Sequence, residues 1–215
     1  EEEGGGGGGG EGGEGAATSG LEVASALSSG RYVNECQAAE LPDGTVVINS
    51  RVFSDRRAMS FSADGGESFP AAPVWAEGLH ETFQGCEGSM VAVGSNGTLL
   101  YSGVQGRPPA RIYREDLGLF TSDDGGLTWS RELTVWEGSS AYSALAPLTS
   151  SAGKELRRKR YQKGMGGKGV LGNGVSGDGG SGVAILFERS NCQGSGPGGC
   201  PLIFLPEHIS FQVLY

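Results

Sequence analysis

Five side chains with reactive chemistry stand in short polar phrases: Glu35 in NECQ, Arg51 closing TVVINSR, Arg114 in YREDLG, Tyr142 in SAYSAL and Glu188 in FER. By type they offer two guanidinium forks, which bind a carboxylate through paired charged hydrogen bonds, one phenol and two carboxylates. Taken singly, each has a plainer use. Tyr142 reads as a packed strand aromatic, Glu35 as a strand-edge charge and Glu188 as a surface pair partner. Strand alternation puts Val46, Ile48 and Ser50 on one face and Val47, Asn49 and Arg51 on the other. Arg51 then closes a strand, where an arginine is usually a surface salt-bridge residue.

The remaining reactive groups are less informative. Cys192 and Cys200 bracket a Gly/Pro/Ser loop that a short disulfide could close, whereas Cys36 and Cys86 lie in strand-like contexts and read as buried thiols. His80 and His208 are far apart and belong to no ligand-spacing motif, so neither a metal nor another cofactor is expected. Asn96-Gly97-Thr98 is both a glycosylation sequon and a hairpin turn.

A second kind of pattern is mechanical. SFSADGGESF at 60–69 and TSDDGGLTW at 121–129 share Ser-x-Asp-x-Gly-x-x-aromatic, as Ser62, Asp64, Gly66 and Phe69, then Ser122, Asp124, Gly126 and Trp129. The aspartate can accept hydrogen bonds from N–H groups of its own turn, the glycine can supply a positive φ, and the ring is there to be buried. One Asp-Gly turn is an ordinary hairpin signal; the matched spacing ending in an aromatic marks an internal repeat.

The elements that must position these residues are short strands. Strand-like runs occur at 45–52, 57–63, 89–93, 98–103, 117–122, 182–190 and 208–215, with no sustained helical period between them. That pattern predicts antiparallel sheet with tight turns, and a turn phrase repeated at blade-like intervals favours a propeller over a sandwich. Residues 1–15, with ten glycines and five glutamates, can bury nothing, so a disordered segment is expected over 1–20. The stretch from about 154 to 182, a basic run followed by a glycine-rich one, reads as an irregular insertion.

Formal net charge is −9, and outside the basic run there are 9 basic against 24 acidic residues, a net of −15. A surface that negative argues against nucleic acid as a partner. No run approaches the ~20 apolar residues that would span a bilayer. The chain begins with Glu rather than Met, so no biological start or signal peptide is read from it, and the compartment stays open.

Read in order, NECQAAELPDGTVVINSR, RRAMSFSADGGESF, QGCEGSM, YREDLGLFTSDDGGLTW, GSSAYSALAPL and VAILFER resemble consecutive segments of the exo-α-sialidases. The resemblance covers most of 31–152 and 183–215. It implies a six-bladed β-propeller, of which this chain would be roughly the C-terminal half, so that residues 31–215 form a partial propeller interrupted by the insertion. The repeated turn resembles the family's Asp-box, a structural feature remote from the active site. By the same resemblance, Arg51 and Arg114 are the second and third arginines of a triad around the substrate carboxylate. Tyr142 is the nucleophile, Glu35 the carboxylate that takes its proton, and Glu188 the group orienting the first arginine. A neutral phenol avoids the repulsion that a carboxylate nucleophile would meet from the substrate's own carboxylate.

The pattern departs from the family at four places. The first arginine and the aspartate acid/base have no counterpart here, Ala144 stands where an aspartate is usual, and Glu87 where glutamine is common. The implied activity is retaining hydrolysis of terminal α-linked sialic acids, with sialylated glycans as partners. Transfer to another acceptor is the variant within that chemistry, and a non-catalytic glycan-binding propeller, or an inactive fragment, is the alternative. An unclosed propeller would expose blade edges and be poorly stable alone.

Overall fold

The computed structural model describes residues 33–82, 85–106, 108, 113–148, 182–190 and 208–214. The expectations for 1–20, for the insertion up to residue 181 and for Cys192 and Cys200 fall outside them. The described residues are all-β. A four-stranded antiparallel sheet holds β1 (Asn34–Glu40), β2 (Val46–Arg51), β3 (Arg56–Ser62) and β4 (Val74–His80) in chain order. A six-stranded sheet holds β5 (Ser89–Val93), β6 (Thr98–Val104), β7 (Glu115–Ser122), β8 (Ser130–Leu148), β9 (Gly182–Arg189) and β10 (His208–Leu214), again as sequential neighbours. Successive antiparallel meanders packed face to face are the layout of propeller blades.

β8 serves two meanders. Ser130 to Ser139 pair with β7, and Ser140 to Leu148 pair with β9. The six-stranded sheet is therefore one complete meander, β5 to β8, continued into a second by the same strand.

Apolar side chains bury the faces between these layers. Val47, Met59, Ala76 and Leu79 from the first sheet meet Met90, Leu99, Tyr101, Phe120 and Trp129 from the second. Cys86, Leu100, Leu117 and Leu119 meet Ala141, Leu145, Ile185 and Phe187 on the far side of β6 and β7. Because both of its faces are covered, β6 is buried along its entire length.

Three strands were not visible as strand-like runs. β1 is polar and half exposed, β4 carries a positive-φ glycine, Gly78, and β8 contains Gly138 and Pro147 in a serine-rich stretch. Their pairing comes from neighbours rather than from intrinsic preference. Two burial expectations are corrected. Cys36 is exposed, because the β1 edge faces solvent, while Cys86 is buried as read. Phe69 is 37% exposed, whereas Trp129 is 6% exposed.

Strand direction separates two ends of the molecule. Arg51 closes β2, Asn34 opens β1 opposite it with Glu35 next in the chain, Arg114 precedes β7, and Ser140 in β8 pairs with Arg189 at the end of β9. The strands that leave this end, β3 and β7, run to Ser62 and Ser122 and enter the two Asp-Gly turns at the opposite end.

Candidate active site

Glu35, Arg51, Arg114, Tyr142 and Glu188 come together at the first of these ends. A bulge in β1 between Asn34 and Gln37 leaves Glu35 with a φ of 46°, one of two described non-glycine residues in the left-handed region. Such a conformation costs about 1–3 kcal/mol and persists where the surroundings hold it. Here the holding groups are on other strands. Glu35 Oε1 accepts from Tyr142 Oη at 2.7 Å, and Glu35 Oε2 accepts from Arg51 Nη1. One carboxylate therefore bridges the phenol and the guanidinium.

Arg114 lies with its guanidinium carbon 5.7 Å from the centre of the Tyr142 ring. Its carbonyl accepts from Ser140 N at 3.1 Å, which fastens this arginine to the strand that carries the tyrosine. Glu188 Oε2 accepts from the Tyr142 backbone N–H at 3.4 Å. Its place in the structure is thus against the tyrosine's peptide.

The electrostatics follow from this packing. Burial pushes the Glu35 carboxyl up, but the hydrogen bonds from Tyr142 and Arg51 and the charges of Arg51 and Arg114 outweigh it and hold the carboxyl below its ordinary value. The Tyr142 phenol is pushed up, first by its hydrogen bond to Glu35 and then by burial. Both shifts leave the proton on the phenol in the resting site.

Beneath the site lies a buried network that neighbouring residues in the sequence do not announce. Arg57 and Glu81 have side chains 0% exposed and pair at 2.8 Å. Glu81 Oε1 also accepts from Tyr101 Oη at 2.5 Å, and Arg57 donates to the Asn49 side chain and, at 2.9 Å, to the Cys86 carbonyl. Burial works against the Arg57 charge, yet Glu81 and its partners hold the guanidinium protonated. Alternation places Arg56 and Arg57 on opposite faces without saying which goes in; the strand turns Arg57 inward and leaves Arg56 over the Trp75 ring at 5.0 Å.

The network fixes the loop 85–88 before β5. Cys86 N donates to Glu81 Oε2 at 3.3 Å, and a Cβ at Gly85 would lie 2.9 Å from both Arg51 Cγ and the Val52 carbonyl. Gly88 would place a Cβ 2.1 Å from Tyr101 Oη. The loop is threaded through gaps that only glycine fits, and it sets Glu87 against Ser143 N at 3.1 Å. The flanking Gly85 and Gly88 were the available sequence signal for this residue. Among the described residues no group of three His, Cys, Asp or Glu side chains is placed to hold a metal ion, and no helix is long and apolar enough to cross a membrane.

No family model matches the sequence. Solved structures that the chain resembles are sialidases. The chain is 19% identical to the NanB sialidase of Streptococcus pneumoniae, with a TM-score of 0.48, over 72% of its own length and 20% of the other. For the Trypanosoma rangeli sialidase the identity is 19% and the TM-score 0.47, over 74% and 21%. For the intramolecular trans-sialidase of Ruminococcus gnavus they are 20% and 0.47, over 74% and 29%. The chain thus spans between a fifth and a third of the length of these structures.

Proposed function

We propose that the chain carries the nucleophile side of a retaining exo-sialidase site, acting on terminal α-linked sialic acids of glycans. The observation that carries the reading is the single carboxylate shared by Tyr142 and Arg51. In this reading Arg51 and Arg114 take the substrate carboxylate, which brings the anomeric carbon over Tyr142 Oη. The phenol oxygen bonds to that carbon as the bond to the aglycone oxygen breaks, and the phenolic proton passes to Glu35. Water then cleaves this aryl ketal linkage at the anomeric carbon: Glu35 returns its proton to the phenol oxygen, and the proton that the water sheds balances the one that the departed aglycone oxygen takes from solvent.

The shared carboxylate also gives substrate a means of switching the base on. A bound carboxylate competes with Glu35 for the Arg51 guanidinium, so Glu35 loses part of what holds its affinity for protons down. The resting site keeps the proton on the phenol, and the occupied site favours its release. A glycan-binding module without turnover would need the arginines but has no use for a carboxylate hydrogen-bonded to a phenol.

The test is hydrolysis of an aryl α-sialoside by the full chain, followed by mass spectrometry of enzyme quenched during turnover. Tyr142→Phe should lower kcat about a thousandfold or more and abolish any sialyl adduct on the tyrosine peptide. A near-normal rate in Tyr142→Phe would sink the mechanism, and binding of N-acetylneuraminate without turnover by the parent would leave the glycan-binding module.

A further inference from the structure

Glu87 has no task in the reaction just described, yet its loop and its side chain are both tied to the strand that carries Tyr142 and to the network beneath it. Its loop is pinned by the Arg57–Glu81 pair through Cys86, and its backbone passes so close to Arg51, Val52 and Tyr101 that Gly85 and Gly88 have no room for a side chain. Its Oε2 accepts the Ser143 N–H at 3.1 Å, while Glu188 accepts the N–H of the preceding residue, Tyr142, at 3.4 Å. Ser143 is held from a further side, its hydroxyl 2.8 Å from Ser102 Oγ and donating to the Ser102 carbonyl at 3.2 Å. Two carboxyls thus grip consecutive amides of the strand that presents the phenol.

We propose that Glu87 is a positioning residue for Tyr142, and that loss of the Glu87 proton adds an anion to the site that holds Glu35 and weakens its hold on an anionic sugar. The inference rests on the sialidase reading for its ligand but not for its titration. The charges that act on Glu87 include Glu35 from β1, Arg57 from β3 and Glu188 from β9, and the Ser143 amide of β8 donates to it. Burial comes first and pushes the carboxyl up, the carboxylates of Glu35 and Glu188 push the same way, and the Ser143 amide and Arg57 oppose them, leaving it at about 7. Below that value the group is a neutral acid, and above it the site holds an additional negative charge. Family members with a glutamine here would lack that response.

The experiment is a pH titration of the isotopically labelled full chain by NMR, from pH 5 to 9, reading the Ser143 amide and the Tyr142 ring. Both should move together with a midpoint near 7. Glu87→Gln, which can still accept the Ser143 N–H, should remove both transitions. Glu35→Gln should shift the Ser143 midpoint downward, because one of the charges opposing ionisation is gone. Titration with N-acetylneuraminate at pH 6 and pH 8 should show affinity falling by up to about tenfold in the parent and staying level in Glu87→Gln. A Ser143 amide that does not titrate, or a transition that survives Glu87→Gln, overturns the proposal. Absence of N-acetylneuraminate binding at every pH, with the Ser143 transition intact, overturns the sialidase reading and leaves the role of Glu87 toward Tyr142 standing.

Discussion

At 62–69 and at 122–129 the same carboxylate holds the same loop, yet the two turns are embedded differently. Asp64 accepts from Ser68 N at 2.9 Å and from Ser68 Oγ at 2.5 Å; Asp124 accepts from Thr128 N at 2.9 Å and from Thr128 Oγ1 at 2.5 Å. In each turn the fourth residue along, Gly66 or Gly126, has positive φ and donates to the serine hydroxyl at 2.9 Å. Beyond the loop the likeness ends. Trp129 donates through Nε1 to the Gly126 carbonyl at 2.8 Å, stands edge-on to Tyr101 at 6.0 Å, and bonds through its backbone to Glu77 of the first sheet at 2.8 Å. Phe69 lies in a run of exposed residues. The aspartate turn is therefore a self-contained local device, and the aromatic that follows becomes a fastener only where an adjacent sheet receives it.

Replacing the rings tests that distinction most severely. Trp129→Ala should cost about 3–5 kcal/mol and Phe69→Ala under about 1 kcal/mol, read as the shift of the urea midpoint at constant slope. Equal costs would mean that the first ring is also packed in solution.

The glycines sharpen the comparison at a smaller scale. Gly66→Ala meets open space and bears only the positive-φ cost of about 1–2 kcal/mol. Gly126→Ala bears the same cost and also drives its methyl to 2.7 Å from Met59 Cε, adding about 1–3 kcal/mol. Thermal or urea unfolding of the two variants should rank them in that order, and a reversed order would break the assignment of the second turn to the interface.

The aspartates should differ least. Hydrogen bonds from Ser62 and Ser68 hold Asp64 down at about 2; at Asp124 burial pushes upward but the Thr128, Ser122 and Leu127 donors prevail and lower it. A carboxyl lowered in the folded state stabilises above its unfolded value near 3.8 and loses that contribution as pH falls through its folded value. Asp64→Asn and Asp124→Asn should each flatten the decline of stability between pH 4 and 2, to similar extents, in urea titrations across that range. A flattening confined to one of them would show that the turns are not mechanically equivalent.

What the sequence made legible follows the same division between local and received structure. The turns, and the strands with strong β-branched or apolar runs such as TLLYSG, could be read because each acts on its own residues. The two rings could not be ranked, because burial depends on what packs against them. Arg57 and Glu81 were silent for the same reason: a buried ion pair between residues 24 apart leaves no periodic trace. The candidate site was legible only through family phrases, since Glu35 and Tyr142 are 107 residues apart. Even those phrases did not show the left-handed Glu35 or the grip of Glu87 on Ser143.

The 19-residue run of β8 has a mechanical consequence. A strand that leaves one meander and enters the next without a loop works as a continuous beam across a joint, and the splay between the two meanders is written directly into its path. Tyr142 stands just past the joint, where the pairing partner changes from Glu115 to Arg189. Its hydroxyl therefore moves with that splay, while Glu35 is carried by a separate sheet. The 2.7 Å contact between them is a gauge of how the two sheets are set against each other.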